Sequence, residues 1–256
     1  MCNPWILRRP GAVEGRLRML CLPHAGSGAA AYLGWAAGLD PAIELIPVQL
    51  PGRESRLGEP AMTSMAALVP VLADALGDFL HGDRDARPYV LYGHSMGAFV
   101  AFELALEFRR RRLPLPAQLL VTGARAPHLP PLQPILHTLP DTELLQEVSR
   151  RYAGSFEPEM MDLVQLMLPT LRADLALVET RRPEAEPPLP LPLAAWAGAN
   201  DDFVPLAEAR QWGRHTAGEF EFKVFSGGHF FPSTGRDSFL AQLARLLVPL
   251  LAGPGQ

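Results

Sequence analysis

Gly93-His94-Ser95-Met96-Gly97 holds a serine between two glycines in the pattern G-x-S-x-G, which occurs once in the chain. A serine at that spacing belongs on a sharp strand-to-helix turn that lifts its hydroxyl above a sheet. The chemistry it offers is nucleophilic attack on an acyl carbon, with the next helix N-terminus facing the developing oxyanion. A serine hydroxyl at its free pKa is a poor nucleophile and needs a base. Among seven histidines, His229 in Gly227-Gly228-His229-Phe230-Phe231 is best placed, after the last apolar run and before a C-terminal helix. The acid that orients such a base falls between serine and histidine in chain order. Gly198-Ala199-Asn200-Asp201-Asp202 supplies two carboxylates there, and Asp201 is preferred. Either aspartate could instead cap the following helix. An oxyanion hole needs two backbone N–H groups. Met96 supplies one, and His24 or Ala25, in the loop after the first strand, supplies the other.

These residues need a scaffold, and the hydrophobic pattern provides one. Short apolar runs at 18–22, 43–48, 89–92, 118–122, 191–197 and 220–225 each end in turn residues, as buried parallel strands should. Helical spacing fills the intervals at 65–80, 96–108, 206–212 and 239–251. Alternating strands and helices predict an α/β fold: a mostly parallel sheet flanked by helices. One connection is too long for a simple crossover, at roughly 60 residues between 122 and 191. It carries its own helical patterns at 142–151 and 157–178, between proline-rich stretches at 127–134 and 183–192. The expected organisation is a core of 1–126 and 184–256 with a helical lid inserted at 127–183.

Composition excludes several classes. The 256 residues are 48% hydrophobic and 20% charged, an ordinary globular mixture. A formal net charge of -4 argues against a nucleic-acid partner, which needs a basic footprint. Only Cys2 and Cys21 are present, neither a disulfide framework nor a metal set. With no signal-peptide pattern and no membrane-length apolar stretch, the expected setting is the cytoplasm.

Taken together and in order, the motifs resemble the stand-alone type II thioesterases of polyketide and nonribosomal peptide synthesis. The residues that carry this are Leu22-Pro23-His24-Ala25-Gly26, Leu50-Pro51-Gly52-Arg53, the Ser95 elbow, Leu139-Pro140-Asp141 and Leu171-Arg172-Ala173-Asp174. Gly198-x-x-Asp201 and Gly227-Gly228-His229 complete the set. The resemblance implies an α/β-hydrolase fold with an inserted helical lid. It also implies hydrolysis of acyl groups from the phosphopantetheine arm of acyl or peptidyl carrier proteins; a monomer without metal or cofactor of its own is expected. It places the acid on Asp201. Ser27, Glu54 and Thr180-Arg181-Arg182 depart from the family pattern. Alternatives on the same fold are a carboxylesterase or lipase, an acyltransferase, or a non-catalytic subunit of a synthase.

The lid pattern fits an acyl substrate. Met160, Met161, Leu163, Val164 and Met167, with Leu166 and Leu168, form a dense apolar patch. Flexible methionine walls accept varied chains, although the same residues could simply pack the lid onto the core. The basic run Arg109 to Arg112 could dock an acidic carrier or simply complement a helix C-terminus.

Overall fold

The computed structural model describes residues 3–8, 14–81, 87–152 and 161–252. Six strands, β1 (Leu17–Leu22), β2 (Ile43–Pro47), β3 (Tyr89–His94), β4 (Gln118–Thr122), β5 (Leu193–Gly198) and β6 (Phe220–Phe225), form one sheet. Their order is β2-β1-β3-β4-β5-β6, and all five ladders are parallel. The six expected apolar runs are these six strands.

β1, β3, β4 and β5 are buried on both faces, β2 nearly so, and the edge strand β6 is largely half-buried or exposed, so alternate residues of the inner strands feed two cores. In β1, Leu20 and Leu22 join one core, while Leu17, Met19 and Cys21 join the other. The first core is covered by α1 (Met65–His81) and α2 (Met96–Arg110), whose Leu68, Leu72, Leu76 and Leu104 recur at helical spacing. The second is covered by a 3-10 segment (Ala29–Gly38), through Tyr32 and Trp35, and by α7 (Arg236–Leu247), through Leu240 and Leu243. Fully burying each such leucine contributes about 1.5–3 kcal/mol. Arg18 is also buried, and its guanidinium donates to the carbonyls of Phe79 and Leu80 in the last turn of α1 and to that of Arg87, just before β3. At the carboxyl end of α1 such a cation complements the helix dipole.

The long connection inserts α3 (Asp141–Tyr152) and α4 (Met161–Glu179) between β4 and β5. Leu136, Leu144, Val148, Leu168 and Leu175 give them a small core of their own. Two expected helices differ in detail. The one at 206–212 is the single turn α5 (Leu206–Ala209), continued as 3-10 winding over Arg210–His215. That winding brings the Trp212 indole to donate to the Ala124 carbonyl at 2.9 Å. The C-terminal helix α7 follows the short α6 (Phe231–Thr234) and tightens to 3-10 over Val248–Ala252. Pro249, which has no N–H to continue an α-helical ladder, lies in that tightened turn. Among the described residues, no helix is long and apolar enough to cross a membrane.

The strand order reverses between β1 and β3, and Leu22 lies opposite Gly93 at their carboxyl ends. In open parallel sheets the crevice beyond such a reversal is where ligands bind.

Candidate active site

Ser95 sits at that reversal as the N-cap of α2, with φ 54 and ψ -116. This is backbone that a side-chain-bearing residue adopts at a cost of about 1–3 kcal/mol, and the surroundings enforce it. A Cβ on Gly93 would lie 2.0 Å from the Gly97 carbonyl oxygen, and one on Gly97 would lie 2.2 Å from that of Leu22. Neither neighbour is a flexible side chain, so both motif glycines are obligatory for the close approach of β3, α2 and β1. The Ser95 N–H donates to the Thr122 carbonyl at 2.8 Å, which ties the turn to β4.

The other two triad candidates come from adjacent loops knitted together by backbone. After β5 and β6, Ala199 N–H donates to the Phe225 carbonyl at 2.8 Å and Asn200 N–H to that of Gly227 at 2.9 Å. His229 Nδ1 consequently lies 2.7 Å from Asp201 Oδ2, with both side chains buried. Asp201 Oδ1 accepts from the Phe203 N–H at 3.2 Å, which fixes the carboxylate. With Nδ1–H donating to the carboxylate, Nε2 is left as an acceptor for a proton. Asp202 is exposed. Geometry therefore pairs Asp201, not Asp202, with the imidazole. Ser95 and His229 line one cavity. No hydrogen bond joins the Ser95 hydroxyl to the imidazole among the described residues, and such contacts are often loose before substrate binds.

Around the imidazole the site is aromatic. The Tyr152 ring, from the end of α3, lies 4.7 Å from that of His229, and the His94 ring lies 5.0 Å away. Burial, then the neighbouring His229, holds His94 well below the usual histidine range. It is a neutral packing residue whose Nδ1 pairs with Thr122 Oγ1 at 2.9 Å. Burial also pushes His24 down to about 4. In the loop after β1, Ser27 N–H donates to the His24 carbonyl at 3.1 Å and Gly26 N–H to Asp174 at 2.8 Å. The N–H groups of His24 and Ala25 have no such partner among the described residues. Both remain candidates for the oxyanion, together with Met96.

The cavity has a volume of about 660 Å³. Its wall is mainly apolar, with Phe99, Leu129, Leu175 and Val178 among its residues, and Val164 and Met167 from α4 line it as expected. Met160 lies outside the described residues, as do the side chains of Met161 and Leu163. The apolar lid patch is split. Leu166 is 57% exposed, and Leu168 packs inside the lid's own core. Successive residues of a helix face different ways, so one run cannot all face one cavity. Sequence reasoning missed Tyr152. Its signal was the stripe Leu144, Val148, Tyr152 at four-residue spacing, which marks the buried face of α3.

Comparisons with known proteins agree with this architecture. A family model described as "Thioesterase domain" matches residues 18–247. Thioesterase PikA5 of Streptomyces venezuelae is 39% identical over 231 residues, covering 89% of this chain and 79% of that protein. Among solved structures, the RedJ thioesterase from the prodiginine pathway of Streptomyces coelicolor is 37% identical with a TM-score of 0.82, covering 93% of this chain and 95% of that one. The type II thioesterase BorB from the borrelidin cluster is 35% identical with a TM-score of 0.81, covering 97% and 98%. With the sheet, the elbow and the inserted helices in place, the chain belongs to the thioesterase family and has the α/β-hydrolase fold.

Proposed function

We propose that this thioesterase releases acyl groups from the phosphopantetheine arm of acyl or peptidyl carrier proteins in polyketide or nonribosomal peptide synthesis. The observation that carries the reading is a strained Ser95 and a carboxylate-paired His229 on one large, mainly apolar cavity. Ser95 Oγ attacks the thioester carbonyl carbon, and its proton passes to His229 Nε2. Asp201 holds the imidazole and stabilises the imidazolium. Met96 N–H and one N–H of His24 or Ala25 receive the oxyanion. The carbon–sulfur bond breaks, and the carrier thiol leaves with the proton from His229. Water, deprotonated by His229, then cleaves the acyl-enzyme to a free acid. These steps need no cofactor of the enzyme's own.

Support for the substrate class comes from relatives named for such pathways, PikA5 and the gramicidin S biosynthesis protein GrsT among them. The protein is read as a monomer of the cytoplasm. The test is Ser95→Ala assayed on acyl-carrier thioesters beside simple oxygen esters. Loss of hydrolysis, with thioesters preferred by the parent enzyme, is expected. Retained hydrolysis would sink the mechanism, and a preference for oxygen esters would favour a carboxylesterase.

A further inference from the structure

Two motifs that play no part in the triad meet beside it. Arg53 ends Leu50-Pro51-Gly52-Arg53 in the core, and Asp174 ends Leu171-Arg172-Ala173-Asp174 in α4. Arg53 Nη1 donates to Asp174 Oδ2 and Nη2 to Oδ1, each at 2.7 Å. Their side chains are 2% and 0% exposed. The pair reaches further, into the loop after β1. Asp174 Oδ2 also accepts from the Gly26 N–H at 2.8 Å, and Arg53 Nη1 also donates to the Ser27 carbonyl at 2.9 Å. One loop is thus gripped at two successive residues by the two ends of one ion pair. Thr170 Oγ1 adds a bond from α4 to the Gly52 carbonyl at 2.7 Å.

Stability alone does not explain such a pair. Removing two charges from water costs about as much as their attraction returns, and apolar replacements are often as stable. What leucine and methionine could not supply is an acceptor for Gly26 N–H and a donor to Ser27 O. Gly26 turns the chain through the left-handed region at φ +73, and the acceptor on its N–H fixes the peptide plane that enters this turn. The N–H groups one and two residues earlier, on Ala25 and His24, are the oxyanion candidates. An oxyanion donor works by being pre-aimed, and an error near 1 Å can cost about 100-fold in rate.

We propose that Arg53 and Asp174 are positioning residues for the oxyanion hole, through which α4 of the inserted segment sets the aim of the loop after β1. This rests on the Ser95 reading above. The main test is the double substitution Arg53→Met with Asp174→Leu, which strands neither charge. Its fold is checked by thermal melting. The probes are an acyl N-acetylcysteamine thioester for kcat and KM, and an acyl trifluoromethyl ketone that captures serine as a tetrahedral oxyanion. We expect kcat to fall about 10- to 100-fold with KM within about threefold, and ketone affinity to fall in step with kcat. A folded variant with unchanged kcat overturns the proposal, as does lost kcat with ketone affinity intact. A second measurement needs no variant: hydrogen exchange of the bonded Gly26 and Ser27 N–H groups in the wild-type protein. Slow exchange, matched to the end of α4, is expected, and exchange at the rate of free peptide overturns the proposal. Failure of the underlying reading looks different, because Ser95→Ala would then leave wild-type turnover intact.

Discussion

Gly123 offers a sharp test of how tightly the histidines are held. It follows β4 at φ +57, and its N–H donates to the Trp196 carbonyl at 3.0 Å. A Cβ there would lie 2.5 Å from His94 Cε1, 3.0 Å from His94 Nδ1 and 3.5 Å from His229 Cε1. Ordinary contact begins near 3.4 Å, so in Gly123→Ala the His94 ring must move by about 1 Å. That ring is bonded to Thr122 and lies against the ring of His229. The left-handed backbone costs alanine about 1–2 kcal/mol, and overpacking adds about 1–3 kcal/mol. The expected loss of stability is the sum, about 2–5 kcal/mol, read by urea unfolding. Since the displaced ring presses on the base, kcat should fall about 100-fold with KM little changed. Gly58→Ala is the control, because nothing lies within 4 Å of a Cβ there. If Gly123→Ala loses under about 1 kcal/mol and keeps kcat within about threefold, the packing argument for this site is wrong.

Asp201→Asn should lower kcat about 10⁴-fold at neutral pH, by favouring the wrong imidazole tautomer, while Asp202→Asn stays near wild type. Steady-state kinetics on both variants decides, and equal losses would refute the assignment. Val164→Trp and Met167→Trp fill the cavity from α4 and should shift turnover toward shorter acyl chains. A chain-length panel with an unaltered profile would show that α4 does not bound the acyl site. His24 has a folded pKa near 4 against about 6.5 when unfolded, so between these values the unfolded chain binds more protons. Stability should therefore hold above pH 6.5 and decline as pH falls toward 4. His215, held near 4 by burial and by His128, acts in the same direction. His24→Gln should flatten but not abolish the decline, and an unchanged slope in urea melts at pH 7 and 5 would contradict it.

Strands were legible in the sequence because each is a short apolar run closed by turn residues, and the Ser95, Asp201 and His229 positions followed from strand ends. Less legible was anything set by tertiary contact. Glu54, one of the departures from the resembled pattern, adopts φ 48. Its carboxylate accepts from the Ala30 N–H at 3.2 Å, which compensates the strained backbone. No local pattern announces that exchange. The arginine following α4 shows the same limit: Arg181 pairs with Glu103 at 3.3 Å and lies over the Phe99 ring at 4.8 Å. Its partners are far away in sequence, so only the fold reveals why a cation stands there.

The arginine run after the nucleophile shows how a fold reassigns charge. Arg109 donates to Glu186 at 2.7 Å and to the Pro187 carbonyl at 2.6 Å, and Arg110 to Glu186 at 2.7 Å. Arg111 pairs with Glu107 at 2.7 Å and with Asp74. Each partly exposed pair is worth about 0.2–1 kcal/mol, too little to matter singly. Arg109 and Arg110 fasten the return from α4 to β5 onto the end of α2, while Arg111 ties that end to α1, so these three cations are engaged within the chain. Attachment of the inserted segment is consequently uneven. α4 and its return are held by buried hydrogen bonds and charge pairs. Among the described residues, α3 meets the core through rings, Tyr152 on His229 and Phe230, and through Arg150 and Arg151 over Phe203. Among the described residues no buried ion pair joins α3 to the core, in contrast to the Arg53–Asp174 pair that holds α4.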